Sequence, residues 1–302
     1  MKIVAKFKEF RRGYQPWEHE GGGGSILGGG GGGDMHASAL DHDFVSTYGA
    51  SDATLADPWE GIAEVIDATN MGTDSMERAA AGTGAWLKRE GAKSVLEVGC
   101  ALGRTTRRLL KDGFKVTALD SSPALLARAK LNAKGAKFEE TNFFELPGGP
   151  FDAIVSLRNS FSRLATEGLA QQFLAAARGG LKPKGLLSIA FFNRDGLDEE
   201  MLNKTVLSKP MDFKGKRLLL YDLWQGHPDG GDRFRWAPLF AIGDHSIDWL
   251  RRSIPYKYWK AEEVKRMLKD AGFEVVGSLD ANDGTTTASG ATRRVEVRAR
   301  AK

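Results

Sequence analysis

The 302-residue chain has few of the features that mark a secreted or membrane protein. Its single cysteine, Cys100, excludes a disulfide within the chain, so we expect a reducing, cytoplasmic location. No apolar run of about 18 residues is present, and the sequence therefore predicts no membrane-spanning helix. The lysine-bearing N-terminus has no continuous apolar stretch of the kind that a signal peptide needs. No cluster of ligating side chains predicts a metal site.

Positive charge is modest, with a net charge of +4, and much of it lies at the C-terminus. From Arg294 to Arg300, charged residues alternate with valine or alanine, which is the period of a strand with one solvated face. This pattern favours a solvated strand over a nucleic-acid-binding tail. We therefore expect neither a nucleic acid nor a membrane as a partner.

Glycine is unevenly spread, because residues 21–33 are mostly glycine. Such a segment cannot build a core and behaves as flexible coil. Met35 follows it and resembles a second starting methionine. The sequence thus predicts a fusion, with an appended peptide and linker over 1–34 and the natural enzyme beginning at Met35. A natural glycine-rich extension is the alternative.

The rest of the chain alternates between helix-like and strand-like patterns. Apolar residues recur at steps of three and four from Asp57 to Arg89, which predicts N-terminal cap helices within 35–90. Strands and helices then alternate over 91–192 and 260–302. This order predicts an α/β fold, a doubly wound and mostly parallel seven-stranded sheet with helices on both faces. The strands predicted before residue 193 are Ser94–Val98, Lys115–Leu119, Ala136–Glu140, Phe151–Leu157 and Gly185–Phe192.

Residues 193–259 interrupt this alternation and hold four of the seven tryptophans. Two stretches, Arg217–Trp224 and Arg233–Ile242, have the pattern of strands around a turn, which predicts an antiparallel insertion. Ligands bind beyond the carboxyl ends of parallel strands, so we interpret the insertion as a substrate lid. A structural hairpin whose tryptophans form a small core of its own is the alternative.

The segment Val95–Pro123 carries the most informative motif. A strand runs into Glu97 and Gly99, and a helix begins directly after Gly103. Gly99 permits a tight turn and the close approach of a ligand, while the helix N-terminus offers free N–H groups. Asp120 ends the next strand, where an acid can accept both hydrogen bonds of a ribose diol.

This loop resembles motif I of the class I S-adenosylmethionine (SAM)-dependent methyltransferases, E/D-x-G-x-G-x-G, with Ala101 at the middle glycine. A dinucleotide-binding G-x-G-x-x-G loop would need a third glycine where Arg104 stands. The resemblance covers about 93–192 and 260–301. It continues in the fourth strand at Phe151–Val155, in the LKPKG turn at 181–185 and in the last helix and strand from Ala261 to Phe273.

The resemblance implies SAM as the cofactor and a set of residues around it. Asn142 and Phe143 follow the third strand, where members of the family contact the adenine. A loop-capping asparagine beside a core phenylalanine is the alternative. The implied cofactor-binding residues are Glu97, Gly99, Cys100, Ala101, Gly103, Asp120, Ser121, Asn142, Phe143 and Leu157.

The acceptor is less well defined by the sequence. Methyl transfer from a sulfonium is an in-line displacement, so the enzyme must align the acceptor and exclude water. A general base is needed only if the acceptor arrives protonated. The candidates are Arg158, Asn159, Tyr256 and Tyr258 for alignment, and His227 and His245 as bases.

Residues 1–20 place apolar side chains at helix-like steps among lysines and arginines. A flexible linker would let this segment reach the enzyme's own surface, so we interpret it as a tethered peptide substrate or partner, with an expression tag as the alternative. The predicted function is SAM-dependent methyl transfer to a small-molecule or peptide acceptor. A non-catalytic methyltransferase-like partner subunit and a Rossmann oxidoreductase are the other classes left open.

Overall fold

The structure is a computed structural model in which residue 57 and residues 59–68, 73–197, 205–226, 232–243, 248–251 and 254–302 are described. The predicted peptide and linker, 1–34, and the candidate bases His227 and His245 lie outside these described residues. Within them, no helix combines the length and the apolar character that crossing a bilayer requires.

A seven-stranded sheet forms the centre of the fold. Its strands are β1 (Ser94–Val98), β2 (Lys115–Asp120), β3 (Lys137–Glu140), β4 (Phe151–Ser156), β5 (Leu181–Phe192), β12 (Phe273–Asp280) and β13 (Arg294–Ala301). They lie in the order β12-β13-β5-β4-β1-β2-β3. The strands β1, β2, β3, β4 and β5 are all parallel to their neighbours among these five, whereas β13 is antiparallel to β5 and β12 is antiparallel to β13. The predicted mostly parallel seven-stranded sheet is confirmed.

A second sheet, entirely antiparallel, is built from the chain between β5 and β12. Its strands are β6 (Thr205–Leu207), β7 (Met211–Phe213), β8 (Lys216–Gly226), β9 (Arg233–Ile242), β10 (Asp248–Arg251) and β11 (Ile254–Lys257). β8 and β9 pair along most of their length and correspond to the two strands predicted in the insertion.

The helices connect and cover the strands of the central sheet. They are α1 (Ala63–Ala68), α2 (Thr73–Arg89), α3 (Arg104–Lys111), α4 (Pro123–Asn132), α5 (Glu167–Gly180) and α6 (Ala261–Asp270). α4 begins where the sequence favours a start, because Ser122 Oγ accepts the N–H of Leu125 at 3.1 Å and Pro123 occupies the first turn.

Both faces of the central sheet are covered because neighbouring side chains of a strand point to opposite faces. On β1, Leu96 packs in the cluster that contains Phe173 of α5, whereas Val95 packs in the cluster that contains Trp86 of α2. Leu96 and Val95 have no exposed surface. Full burial of an aliphatic side chain of this size contributes about 1.5–3 kcal/mol.

The expectation of a solvated face on β13 is wrong. Glu296 is 1% exposed and Arg298 is 7% exposed. Arg298 Nε donates to Glu296 Oε1 at 2.7 Å, and the hydroxyls of Thr83 on α2 and Ser188 on β5 donate to the same oxygen. The Arg298 guanidinium lies 5.0 Å from the ring centroid of Trp86. The middle of the charged face of β13 is therefore buried under α2 as a hydrogen-bonded ion pair, whereas Arg294 and Arg300 at its ends stay partly exposed.

Candidate functional site

A cavity of about 340 Å³ lies at the carboxyl ends of the parallel strands. Residues that directly follow β1, β2, β3 and β4 line one part of it. Trp59, just before α1, and aromatic residues of β8, β9 and β11 line another part. This is the edge of an α/β sheet at which ligands bind.

Gly99 turns the chain from β1 into the loop at the cavity. Its φ is 76°, and a Cβ at this position would lie 2.7 Å from the Cβ and Oγ of Ser160. Any side chain would therefore be strained by the backbone and would also collide with the loop after β4. Ser160 Oγ donates to the carbonyl oxygen of Gly99 at 3.1 Å, which holds the two loops together.

Ala101, which stands at the middle glycine of the motif, adopts a left-handed conformation with φ of 48°. A non-glycine residue in such a conformation costs about 1–3 kcal/mol. The Ala101 N–H donates to Asp120 Oδ2 at 2.8 Å, which helps to hold the loop. Gly103 does not line the cavity. A Cβ there would lie 3.0 Å from the Cα of Ala129, so Gly103 serves the close packing of α3 on α4.

The Asp120 carboxylate lies at the cavity, at the end of β2. Its Oδ2 accepts from Ala101, and its Oδ1 accepts the N–H of Ser122 at 3.0 Å. Burial, helped by the nearby charge of Asp57, raises the pKa of Asp120 to about 6 against the lowering by these hydrogen bonds. A backbone hydrogen bond from Ser121 also lowers this pKa. The two oxygens of a carboxylate offer about four lone-pair sites, so the group can still accept from a ligand hydroxyl. Ser121 lines the cavity beside it.

Glu97 is the second acid at the cavity, and it is 3% exposed. Burial raises its pKa to about 8, the charge of Asp120 adds to this, and the hydrogen bond from Thr106 acts in the opposite direction. Thr106 Oγ1 donates to Glu97 Oε2 at 2.5 Å. A cationic group in the cavity would favour the ionised form of this carboxyl.

Of the two residues after β3 that were predicted to contact the adenine, only one lies at the cavity. Phe143 lines the cavity and meets Phe173 edge to face, with ring centroids 5.6 Å apart. Asn142 does not line it, because its Oδ1 accepts the N–H groups of Phe144 at 2.8 Å and Glu145 at 3.0 Å. The geometry of Asn142 is that of the loop-capping alternative.

Arg158 and Asn159, directly after β4, both line the cavity together with Leu157. Arg158 has a φ of 64°, an uncommon conformation for a non-glycine residue and one that occurs at functional sites. Burial and the charges of Arg294 and Arg104 lower its pKa to about 10. Asn159 Oδ1 is buried and accepts no hydrogen bond from the described part of the chain.

The two candidate tyrosines of the insertion differ in position. Tyr256 lines the cavity. Tyr258 does not, since its ring stacks on Phe234 with centroids 3.7 Å apart and an interplanar angle of 6°. Burial raises the pKa of Tyr258 above its usual range. Tyr258 therefore packs within the aromatic cluster of the second sheet and stays neutral.

The lining residues that the sequence did not single out as site residues include Arg163, Arg294 and Trp59. Arg163 ends a short 3₁₀ turn after β4, and Arg294 begins β13 opposite Phe192 of β5. A second arginine five residues after Arg158 was the only local signal for Arg163. Arg294 belonged to the alternating pattern that predicted a solvated strand.

Arg104, at the first position of α3, ties α1 to the cavity. Its Nη2 donates to the carbonyl oxygens of Ile66 at 3.0 Å and Asp67 at 3.3 Å. Cations are favoured at the C-terminal end of a helix, which is where these carbonyls lie. Arg104, which stands where a dinucleotide-binding loop would need a glycine, thus anchors α1.

The order of the strands separates the acids from the arginine of β13. Asp120 ends β2 and Arg294 begins β13, four strand positions away along the sheet. Neighbouring strands are about 4.8 Å apart, so this separation is on the order of 19 Å. The cavity edge therefore runs from two acids and a glycine loop at one end to arginines and aromatic rings at the other.

Comparisons with known proteins agree with this geometry. A profile of the family described as "Methyltransferase domain" matches residues 95–185. The chain is 32% identical over 203 residues to the glycine/sarcosine N-methyltransferase of Parasynechococcus marenigrum. The aligned region covers 64% of this chain and 67% of that relative. The enzyme of the same name from Halorhodospira halochloris is 32% identical over 197 residues, 63% of this chain and 69% of that relative.

The fold is also that of solved methyltransferases. The crystal structure of an S-adenosylmethionine-dependent methyltransferase from Clostridium acetobutylicum superposes with a TM-score of 0.65 at 14% identity, covering 88% of this chain and 99% of that chain. These matches support a methyltransferase enzyme and not the alternatives of a Rossmann oxidoreductase or a non-catalytic partner subunit. With a glycine loop and two acids at the cavity, and with relatives of this kind, the chain belongs to the class I SAM-dependent methyltransferases.

Proposed function

We propose that the protein transfers a methyl group from SAM to the nitrogen of a small amine that carries a carboxylate. The observation that carries the proposal is that the guanidinium groups of Arg158, Arg163 and Arg294 lie in the wall of the cavity that also holds the cofactor loop. A fourth lining arginine, Arg104, donates to the carbonyls at the end of α1. A guanidinium matches a carboxylate with two parallel charge-assisted hydrogen bonds. Relatives named glycine/sarcosine N-methyltransferases support an amine with a carboxylate.

The cavity residues fit SAM at its polar ends. Asp120 offers two carboxylate oxygens for the ribose hydroxyls, and Glu97 offers a buried carboxyl for the amino group. Gly99 leaves room that a Cβ would close, and Phe143 supplies an apolar surface for the adenine. When bound, SAM supplies an electrophilic methyl group. Cys100, Ala101, Ser121 and Leu157 complete this wall.

The residues after β4 orient the acceptor. Arg158 holds the carboxylate, and the buried Oδ1 of Asn159 accepts an N–H of the neutral amine. An amine that donates to Asn159 keeps its lone pair for the methyl carbon. The indoles of Trp59, Trp224 and Trp236 line the same cavity and exclude water from the reacting groups.

Asp120→Ala should weaken SAM binding by about ten- to a hundredfold. The substitution removes the charge-assisted hydrogen bonds of the ribose diol, a total loss of about 1.5–3 kcal/mol. Calorimetric titration with SAM measures the change. Asp152→Ala is the matched control, because Asp152 also accepts backbone N–H groups, from Lys93 and Ser94, at the opposite end of β4. Equal SAM affinity in the two variants would remove Asp120 from the site.

SAM affinity should rise with pH between pH 6 and 8 and then level off. Glu97 has a pKa of about 8 in the free protein, so below that pH it is mostly protonated. The cationic amino group favours the ionised carboxyl, so binding releases a proton and affinity grows by about tenfold per pH unit at the low end. Titrations in buffers of different ionisation enthalpy detect this proton. Glu97→Gln should abolish the dependence above pH 7, where Asp120, with its pKa of about 6, is already mostly ionised. A flat profile in the parent protein would contradict the assignment.

A comparison of glycine with glycinamide tests the proposed acceptor class. The two share the amine and differ in the carboxylate, so the loss of charge-assisted hydrogen bonds should lower kcat/KM for glycinamide by about ten- to a hundredfold. Assays with methyl-labelled SAM, together with identification of the N-methyl product, give kcat/KM for glycine and for glycinamide. Equal values for the two amines, or methylation at oxygen, would overturn the proposal.

A peptide acceptor, the chain's own residues 1–20 included, is the second candidate. It is supported by the amphipathic pattern of that segment, which lies outside the described residues. Incubation of the full chain with SAM, followed by digestion and mass spectrometry, tests it. A gain of methyl groups within residues 1–20 supports this candidate, and an unchanged mass after full turnover of glycine removes it.

A further inference from the structure

A buried hydrogen bond joins the cavity acid Glu97 to the helix behind it. Thr106, at the third position of α3, has no exposed surface, and its Oγ1 donates to Glu97 Oε2 at 2.5 Å. Glu97 lines the cavity, whereas Thr106 does not. Any effect of Thr106 on a bound ligand is therefore transmitted through the Glu97 carboxyl.

The hydroxyl of Thr106 is a donor to this carboxyl. A threonine in a helix commonly donates to a backbone carbonyl of the preceding turn, but this one donates to a side chain on β1. Its branched side chain has few rotamers, so the position of the hydroxyl is fixed, and with it one oxygen of Glu97. A carboxylate is a stronger acceptor than a neutral carboxyl, so the bond favours the ionised form. The other oxygen, Oε1, is left for a donor in the cavity.

The ionisable groups around Glu97 titrate in other pH ranges. Asp120, at the end of β2, has a pKa of about 6. Burial, together with the charges of Asp120 and Glu97, raises the pKa of the Cys100 thiol above its usual range. Arg104 of α3 and Arg158 after β4 line the same cavity, and Arg158 has a pKa of about 10. A charge change near the cofactor loop between pH 7 and 9 is therefore that of Glu97, whose pKa is about 8.

We propose that Thr106 is a positioning residue for the cofactor, whose hydroxyl holds one oxygen of Glu97 and favours the ionised carboxyl that binds the amino group of SAM. Without the hydroxyl, Oε2 would stay buried and lose its donor, which favours the protonated carboxyl. The inference rests on the proposed function, because it takes Glu97 as the partner of that amino group.

The first measurement uses the full chain without a ligand. In a carboxyl ¹³C NMR titration with labelled glutamate, the Glu97 signal is the one that is missing in Glu97→Gln. Thr106→Val keeps the branched shape and removes the hydroxyl, so the pH midpoint of Glu97 should rise by about one pH unit, the size expected for a lost hydrogen bond to a charged group. Thr106→Ser should stay close to the parent midpoint and Thr106→Ala should lie above it. This second pair isolates the hydroxyl even if Thr106→Val does not fold.

The second measurement is the SAM affinity of the same variants by calorimetry at pH 7 and pH 9. Thr106→Val should lower the affinity about tenfold at pH 7 and by only about twofold at pH 9, where more of the carboxyl is ionised in both proteins. The ligand titrates identically in all variants, so the ratio to the parent value reports the protein alone.

Thr83→Val is the matched control. Thr83 is also fully buried and also donates its hydroxyl to a buried glutamate, Glu296, at 3.0 Å, but neither residue lines the cavity. This variant should lower the stability of the protein and leave the Glu97 midpoint and the SAM affinity unchanged.

The outcomes separate this inference from the proposed function. An unchanged Glu97 midpoint in Thr106→Val, or equal midpoints in Thr106→Ser and Thr106→Ala, overturns the inference and leaves the proposed function intact. An equal loss of SAM affinity at the two pH values indicates a structural role and overturns it as well. A raised midpoint with unchanged SAM affinity removes Glu97 from the amino group, so the inference and that part of the proposed function fail together. The comparison of glycine with glycinamide concerns the acceptor and is independent of all these results.

Discussion

Replacement of Glu296 by alanine should lower the free energy of unfolding by about 3–5 kcal/mol, the range for removal of one partner from a buried ion pair. Arg298 would keep its charge in a site that is 7% exposed and lose its 2.7 Å partner. The hydroxyls of Thr83 and Ser188 would lose their acceptor as well. Urea denaturation followed by tryptophan fluorescence measures the change.

Two further variants identify the cause of that loss. Glu274→Ala removes an exposed glutamate from β12, the strand next to β13, and should change stability by less than about 0.5 kcal/mol. The double variant Glu296→Leu with Arg298→Met replaces both charges by apolar groups and should recover most of the stability. A loss in Glu296→Ala no larger than that in Glu274→Ala would show that the buried pair contributes nothing.

Arg158→Gly should make the protein more stable and a much poorer methyltransferase. Glycine adopts a φ of 64° without strain, which should add about 1 kcal/mol to the free energy of unfolding. Under the proposed function, loss of the guanidinium truncates one partner of a buried charge pair with the acceptor. That truncation costs about 2–5 kcal/mol, so kcat/KM for the acceptor should fall by at least about thirtyfold. SAM affinity should stay within about threefold, because it depends on the other end of the cavity.

Lys184→Gly is the matched control for the backbone effect. Lys184 also has a left-handed conformation, with φ of 59°, but it is exposed and does not line the cavity. The Lys184→Gly variant should gain similar stability without any loss of methyl transfer. Reduced stability of Arg158→Gly, or an acceptor kcat/KM within threefold of the parent value, would contradict the role given to Arg158.

Local patterns in the sequence are sufficient for the central sheet and for the cofactor end of the cavity. β1 is observed as Ser94–Val98, as predicted, and β9 as Arg233–Ile242, also as predicted. Gly99 and Asp120 could be identified because a strand, a loop and a helix of fixed spacing determine what lies at the strand ends. These features depend on residues that are close in sequence.

The other end of the cavity depends on residues that are distant in sequence. Alternation on β13 shows that one face is charged, but it carries no information about what covers that face. Thr83, whose hydroxyl reaches Glu296, lies 213 residues earlier. In the same way, Arg163 and Trp59 come from separate segments and meet only in the folded chain. Asn142 shows the reverse case, in which a local loop hydrogen bond competes with a predicted ligand contact.

The two indoles of the second sheet occupy one hairpin. Trp224 of β8 and Trp236 of β9 are directly opposite cross-strand partners, and both line the cavity. Among the described strands, neither β8 nor β9 pairs with the sheet that carries the cofactor loop. Under the proposed function, substitutions at these two positions would therefore reshape the acceptor wall and leave Gly99, Glu97 and Asp120 in place. The choice of acceptor could then change by mutation of one hairpin while the methyl donor stays the same.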